Sequence, residues 1–418
     1  MITFHTFANT RPEHGLPGRA YHAGADINPT ITWWEQGKPF MDYLSRCSYL
    51  LKQGKFVGDV AYYYGDKAPN FFPEFHDVPE KPGLKGLSAG YDFDVVNTDV
   101  ILNRMDVSEG NIVLPDGMNY SLLVLPNIED IPAHVVKKVE SMIEAGANVL
   151  NQNPKIAKTL QGKILSNMTI DDALASLSIE RDFIGNDNKL DYIHRKAGAK
   201  DIYFVHNKTD QEISETCEFR ASSKQVEFWD PVTAKQFIIK NTSSSNGVTS
   251  VNLVLPAYGT CFIVFSEERR DLPEYVKSAS IRSREIQNSW TLSFPENWGA
   301  PSSVNLDKLI SWIDHENEGI NYFSGTAAYS NSFNISKETL DDDKSIVINL
   351  GEVFDVAEVF VNNKSAGILW TKPFKVDITD IVKEGENQVE IKITNMWINR
   401  LTGDMDLPDE QKFCRTNR

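Results

Sequence analysis

At 418 residues the chain has room for about three domains. Its 42 Lys and Arg against 58 Asp and Glu leave a net charge of −16, which argues against nucleic acid or an anionic membrane surface as a partner, since both call for surplus cations. With 41% apolar and 11% aromatic residues the chain can bury real cores, yet no apolar run reaches the ~20 residues of a membrane-spanning helix.

Met1 leads directly into the alternating ITFHTF, a strand pattern with neither the basic stretch nor the apolar core of a signal peptide. A long irregular segment follows from Ala8 to Pro39, rich in Gly, Pro, His and Asn and closing on Thr32-Trp33-Trp34-Glu35. A loop of that length inside a compact domain is usually functional. Phe40, Tyr43, Leu44, Cys47, Leu50 and Leu51 then fall on one stripe at helical spacing, and Gln53-Gly54 ends the helix. Residues 1–54 therefore read as strand, loop, helix.

Residues 55–188 switch to an α/β pattern. Phe56 to Tyr64 and Ser121 to Pro126 are near-continuous apolar runs, as expected of strands covered on both faces. Asp130-Ile131-Pro132 predicts a helix start with a capping carboxylate. Val135, Val139, Met142 and Ile143 form the buried stripe of that helix, Gly146 ends it, and Ala147 to Leu150 is the next strand. The order implies a parallel sheet. No G-x-G-x-x-G or G-x-x-x-x-G-K-[ST] follows any of these strands, so no nucleotide is expected.

From about Leu190 the helical period disappears. Residues 189–268 read as a small antiparallel domain, with strands at Asp201–Val205, Val226–Trp229 and Cys261–Phe265 and a turn-rich piece from Asn241 to Gly247. The charged stretch Glu267 to Glu274 looks like a boundary. Residues 276–418 predict a further all-β region. There Val359-Phe360-Val361 turns at Asn362-Asn363 and returns as Gly367 to Trp370. Phe374, Val376 and Ile378 alternate, and Gly385-Glu386-Asn387 reads as a turn into Val389, Ile391 and Ile393. Short strands at this spacing suggest a β-sandwich or jelly roll.

These blocks, in this order, resemble the C-terminal part of glycoside hydrolase family 106, the α-L-rhamnosidases. The opening FHTFANTRPEHGLPGRAYHAGADINPTITWWEQGKPFMDYLSRCSYLLKQGKFVGDVAYYYGD is the most specific signal, followed by APNFF, GYDFDVVN, YSLLVLPN, IHRKAGAKDIYFVHN and EFWDP. The closing VFVNNKSAGILWTKPFKVDITDIVKEGENQVEIKITNMWINRLTGD looks like a sugar-binding jelly roll found in several glycosidase families. The resemblance implies a terminal βα piece of a (β/α)8 barrel over 1–54, a flavodoxin/amidotransferase-like α/β domain, a small antiparallel β domain and a C-terminal galactose-binding-like jelly roll. It also implies an inverting enzyme of the periplasm or cell exterior, a carbohydrate substrate containing rhamnose, and a calcium ion in the site. A barrel needs eight βα units, about 250 residues, and one is visible here. The expectation is thus a fragment whose catalytic acid and base lie upstream, with residues 2–7 and 40–51 left bare.

Inverting hydrolysis uses two carboxyl groups roughly 6.5–9.5 Å apart. The first 54 residues offer Glu13, Asp26, Glu35 and Asp42. Asp42 reads as a helix-dipole acid, Glu13 and Asp26 as solvated loop acids, and Glu35 as the best local carboxylate, though without a nameable partner. Substrate contact has a broader basis. If ITFHTF is a barrel strand, its loop lies on the face where barrel enzymes keep their sites. Sugars pack C–H faces on rings and need donors and acceptors for their hydroxyls. His5, His22, Asn28, Trp33, Trp34 and Glu35 are the candidate substrate-binding residues, with His14 in the same loop. Adjacent Trp33 and Trp34 cannot face the same way on an extended segment, so either one stacks on ligand while the other packs on the helix, or both serve as core anchors. Calcium could use Asp26 or Asn28, but hard-cation sites leave no reliable spacing, so its ligands are not assignable. In the sandwich, Trp370, Trp397, Asn399 and Arg400 suit either carbohydrate or a core, and Arg400 either sugar or a partner at Asp404 or Asp406. Cys47, Cys217, Cys261 and Cys414 lie far apart with no C-x-x-C spacing, so neither zinc nor a disulfide framework is expected and the redox compartment stays open. A non-catalytic carbohydrate-binding or scaffold protein, and a β-galactosidase-like enzyme sharing the accessory modules, are the competing readings.

Overall fold

A computed structural model describes residues 10–19, 27–66, 85–128, 131–160, 164–186, 189–276, 282–340 and 345–416. The predicted strand at 2–7, with His5, and the loop residues His22 and Asp26 lie outside these. The chain forms two compact units, one of Tyr49–Lys277 and one of Met1–Ser48 together with Ser278–Arg418.

In the first unit the apolar runs build a five-stranded parallel sheet. Its order is Phe93–Val96, Val60–Tyr63, Leu122–Leu125, Val149–Asn151, Leu165–Ser166. Every residue of Leu122–Leu125 is fully buried, because both faces are covered. Leu123 and Leu125 pack with Val135, Val139 and Met142 of helix Ala133–Glu144, while Leu122 and Val124 pack with Ile170 and Leu174 of helix Ile170–Ser176. Burial of each such side chain contributes about 1.5–3 kcal/mol relative to exposure. Gly146, at φ 101°, ends the first helix as predicted. Pro132 stands at its N-cap without a side-chain cap bond, and Asp130 lies outside the described residues. The run from Phe56 to Tyr64 is not one strand. Lys55–Phe56 pairs with Lys196 and Arg195 in a different sheet, and only Val60–Tyr63 joins the parallel one. The chain is re-aimed at Gly58-Asp59, where Asp59 N–H donates to the Asp92 carbonyl at 2.9 Å.

The antiparallel part of this unit is larger than its sequence suggests. A six-stranded sheet runs Gln236–Ile238, Gln225–Trp229, Thr260–Ser266, Lys200–Asn207, Leu190–Ala197, Lys55–Phe56. A four-stranded sheet runs Phe183–Ile184, Ile213–Phe219, Val248–Leu255, Thr242–Ser245. Tyr203, Val205, Ile263 and Phe265 from the first meet Phe219, Val251 and Leu253 from the second in one core. The serine-rich piece predicted as a turn is an edge strand. Only Asn246 and Gly247, at φ 51° and 81°, form the two-residue turn, and the exposed serines keep the edge polar.

In the second unit a six-stranded antiparallel sheet runs Ser303–Leu306, Trp290–Ser293, Gly325–Ile335, Gly385–Asn395, Val356–Val361, Lys364–Leu369. The pair Val347–Asn349 and Lys375–Asp377 lies over it, closing a core of Ile348, Val359, Val361, Phe374, Val376 and Val389. Asn362 and Asn363, both at positive φ, make the predicted hairpin turn. Gly385-Glu386-Asn387 is not a turn but the start of an eleven-residue strand, and the all-β reading missed helix Ile398–Asp404.

Helix Lys38–Leu50 belongs to this unit for most of its length. Its apolar stripe is not bare, contrary to expectation. Cys47 is buried and Phe40, Tyr43, Leu44 and Leu50 are half-buried, with Phe40 and Tyr43 each 5.1 Å from the Trp370 ring. Trp370, at the end of Lys364–Leu369, supplies the cover from within the chain. Pro17–Gly18 pairs in parallel with Arg415–Thr416, tying the two ends of the unit together.

Candidate functional site

The loop that carries the sequence-predicted ligand residues is held by the sandwich at two points. Trp397 Nε1–H donates to the Thr30 carbonyl at 2.8 Å, and Thr394 Oγ1–H donates to Gln36 Oε1 at 2.6 Å in a buried bond. Asn28 is buried and its Oδ1 accepts from Thr30 N–H at 2.8 Å and from the Thr30 hydroxyl, so it shapes the turn. Between the anchors a single 3-10 turn, Trp34–Gln36, closes on Gly37 N–H donating to the Trp34 carbonyl at 3.1 Å.

This turn sends the neighbouring indoles apart. Trp33 meets Phe40 of the helix edge-on at 6.0 Å and lies over Gly37, where a Cβ would come within 2.9 Å of the ring. Trp34 is 36% exposed, and Glu35 beside it is exposed. Trp33 thus packs on the helix, while Trp34 is the more exposed of the two rings. Asp42 sits in an exposed pair with Lys38 at 2.6 Å, whose hydrogen bond holds its carboxyl below the usual range, a structural helix acid. Glu13 lies 3.7 Å from Arg11 on the surface, and His14 Nδ1 accepts from Arg11 N–H at 3.0 Å.

The sandwich residues with carbohydrate-like chemistry are largely used internally. Trp370 packs on the helix, and Trp397 spends its N–H on Thr30 while its ring lies 5.5 Å from Trp298. Arg400 is buried with Nε 3.0 Å from Asp404, its guanidinium 4.6 Å over Phe413, so its partner is Asp404 and not Asp406. Among the described residues no group of three or more His, Cys, Asp or Glu is arranged to hold a metal ion. Asn28 Oδ1 is engaged by Thr30, and Asp26 lies outside the described residues. All four cysteines are unpaired and buried, and burial pushes the thiols up, Cys47 to about 11 and Cys217 and Cys414 to about 12. Inert core thiols fit that pattern.

The first unit holds a polar constellation that the sequence reading missed. His194 Nδ1 lies 3.0 Å from Asp182 and Nε2 3.1 Å from Asp201, and the imidazole stacks on Tyr203 at 3.8 Å. Tyr203 O–H donates to Asp182 at 2.9 Å, and Arg220 donates to Asp59 at 2.8 Å while lying 3.5 Å from Asp182. His194 and Asp182 are almost completely buried. A signal was available: the alternation Leu190, Tyr192, His194 puts a histidine on the core face, where it must find partners. The carboxylates it selects are spread from residue 59 to 201 and have no common spacing.

Comparison with known proteins relates the chain to the glycoside hydrolases. Residues 264–414 match the model of the sugar binding domain of glycosyl hydrolases family 2, a span that contains the six-stranded antiparallel sheet of the second unit. Residues 1–163 and 155–242 match the model of glycoside hydrolase family 106, alpha-L-rhamnosidase. The chain belongs to that family. In three dimensions it is similar to a rhamnosidase from Novosphingobium sp. PP1Y, with a TM-score of 0.81 and 26% identity over 97% of this chain and 41% of that one. It is also 25% identical to a putative beta-glucuronidase of Formosa agariphila, covering 97% of this chain and 55% of that relative. The chain spans about half the length of the relatives it matches.

Proposed function

We propose that this chain is the C-terminal portion of an inverting glycoside hydrolase that removes terminal α-L-rhamnose from glycans outside the cytoplasm, with the catalytic acid and base on upstream polypeptide. The observation that carries the reading is the length relation: near-complete likeness to a rhamnosidase from this side, and 41% coverage from the other. The disposition of carboxylates supports it. Asp59, Asp182 and Asp201 are engaged by Arg220, His194 and Lys196 inside the first unit, and Asp42 by Lys38. None of these is a free acid and base spanning a water.

In this reading the Trp34-Glu35 turn is one wall of the substrate site. The indole offers a face to the sugar's C–H groups and the carboxylate accepts from its hydroxyls, while Trp33 fixes the turn against the helix. His5, His22 and Asn28 belong to the same segment, the first two beyond the described residues. A calcium ion would draw on Asp26 and backbone oxygens of that segment, and nothing in the proposal depends on it.

The test is hydrolysis of an aryl α-L-rhamnoside by this chain and by a version extended upstream, with an aryl β-glucuronide in parallel. Activity confined to the extended protein and to the rhamnoside is the expected result. Equal rates from the short chain would overturn the division of labour, and turnover of the glucuronide alone would transfer the chain to the specificity in its curated relative's name. A second reading, a non-catalytic carbohydrate-binding protein, is favoured by the family 2 sugar-binding match, and rhamnoside binding without turnover by the extended protein would support it.

A further inference from the structure

His194 lies on strand Leu190–Ala197, buried, with each ring nitrogen facing a carboxylate oxygen: Nδ1 at 3.1 and 3.0 Å from the two oxygens of Asp182, Nε2 at 3.1 Å from Asp201. A neutral imidazole carries one N–H and one lone pair. In that state it would aim the lone pair at an acceptor in a buried setting, which is repulsive. Only the imidazolium donates on both sides. The surroundings agree in charge. Asp59, Asp182 and Asp201, with buried Asp92 nearby, face Arg220, Lys196 and His194, so a charged imidazole offsets carboxylates that outnumber the other cations. Tyr203 stacks on the ring and donates to Asp182, and Tyr192 donates to the Gly90 carbonyl.

These groups come from three layers. Asp59 immediately precedes parallel strand Val60–Tyr63, Asp182 and Arg220 flank strands of the four-stranded sheet, and His194 and Asp201 lie in the six-stranded sheet. We propose that a charged His194, tied through Asp182 and Arg220 to Asp59, is the keystone joining the α/β layer to the two antiparallel sheets, and that this unit loosens when alkaline pH removes its second proton. Burial by itself disfavours the charged ring, but the hydrogen bonds to Asp182 and Asp201 outweigh it and hold the pKa above the ordinary 6.5. A raised value stabilises the fold fully below about 6.5 and ceases to do so as the pH climbs through the folded-state value. For Asp201 burial acts upward, yet the bond and charge of His194 bring it below 3.8, so its share fades only in acid.

The full chain, labelled with 15N on its histidines, is the material for the test. At pH 7.5 one of the eight imidazoles should have both ring nitrogens protonated. Thermal melting followed from pH 6 to 9 should fall more steeply for the wild type than for His194→Gln, which cannot titrate. Asp201→Asn, which keeps the shape but removes one counter-charge, should start its fall at lower pH. All eight rings neutral at pH 7.5, or parallel melting profiles for wild type and both variants, would overturn the proposal. If His194→Gln does not fold, the wild-type spectrum and the Asp201→Asn profile decide it.

Discussion

Trp33 and Trp34 are adjacent and chemically identical, and their fates differ because of Gly37. With no Cβ, Gly37 lets the Trp33 ring settle 2.9 Å from where one would stand, which leaves Trp34 as the outward ring. Gly37→Ala should therefore cost about 1–3 kcal/mol through overpacking, read as a lowered melting temperature. Trp34→Ala should weaken rhamnoside binding about twofold to twelvefold in the extended protein, from the loss of about 0.5–1.5 kcal/mol of ring contact. Unchanged binding by calorimetry would remove Trp34 from the site. Asp59 makes a pH prediction of its own. Burial, opposed by Arg220, raises its pKa to about 6, and its buried Oδ2 has no hydrogen-bond partner among the described residues. Since the folded value lies above the unfolded one, the neutral acid stabilises the fold fully below about 4, and that contribution is lost as pH rises through about 6. Asp59→Asn should flatten the loss of stability across that window in denaturant titrations at fixed pH. At this scale the sequence announced ring chemistry and helix acids such as Asp42. It did not announce which carboxylates would meet His194, because that depends on strands brought together from distant positions.

Among the elements, those read correctly are the ones whose burial is two-sided or periodic. Leu122–Leu125 is apolar throughout because helices cover both faces, and Leu123→Ala should cost about 2–5 kcal/mol by urea unfolding. Helix Ile170–Ser176 has a reciprocal capping box, Thr169 Oγ1 accepting from Asp172 N–H at 3.1 Å and Asp172 Oδ2 accepting from Thr169 N–H at 3.2 Å. Thr169→Ala should cost about 1 kcal/mol in the same measurement. The elements missed are those whose local chemistry points elsewhere. Thr242–Ser245 is polar because it is an exposed edge, and its serines read as a loop. Gly385 and Asn387 are turn residues by habit, yet they open a long strand whose partner Gly325–Ile335 supplies the pairing from afar. Lys55–Phe56 continues an apolar run but leaves it for another sheet, a tertiary choice with no local marker.

For the molecule as a whole, the family was legible because its blocks keep their order along nearly the whole chain, and matches to two family models cover the same stretches. The composition of the units was not. Residues 1–54 read as an isolated piece, whereas the chain up to Ser48 clusters with Ser278–Arg418. The contacts that do this join Thr30 to Trp397 and Gln36 to Thr394, positions more than three hundred residues apart, for which no periodicity exists to be read. Their removal is measurable: Thr394→Val deprives buried Gln36 of its donor, and the unpaired amide oxygen should cost about 1–3 kcal/mol in thermal denaturation.

That arrangement also sets an order of events during synthesis. Tyr49–Lys277 can finish its cores as soon as it leaves the ribosome, but the turn at Trp34 emerges before it and must wait for Thr394 and Trp397, which follow more than three hundred residues later. A nascent polypeptide halted between Lys277 and Thr394 would hold a completed Tyr49–Lys277 unit and an unanchored Trp34 turn, so a stop placed before Thr394 should expose that turn to proteases.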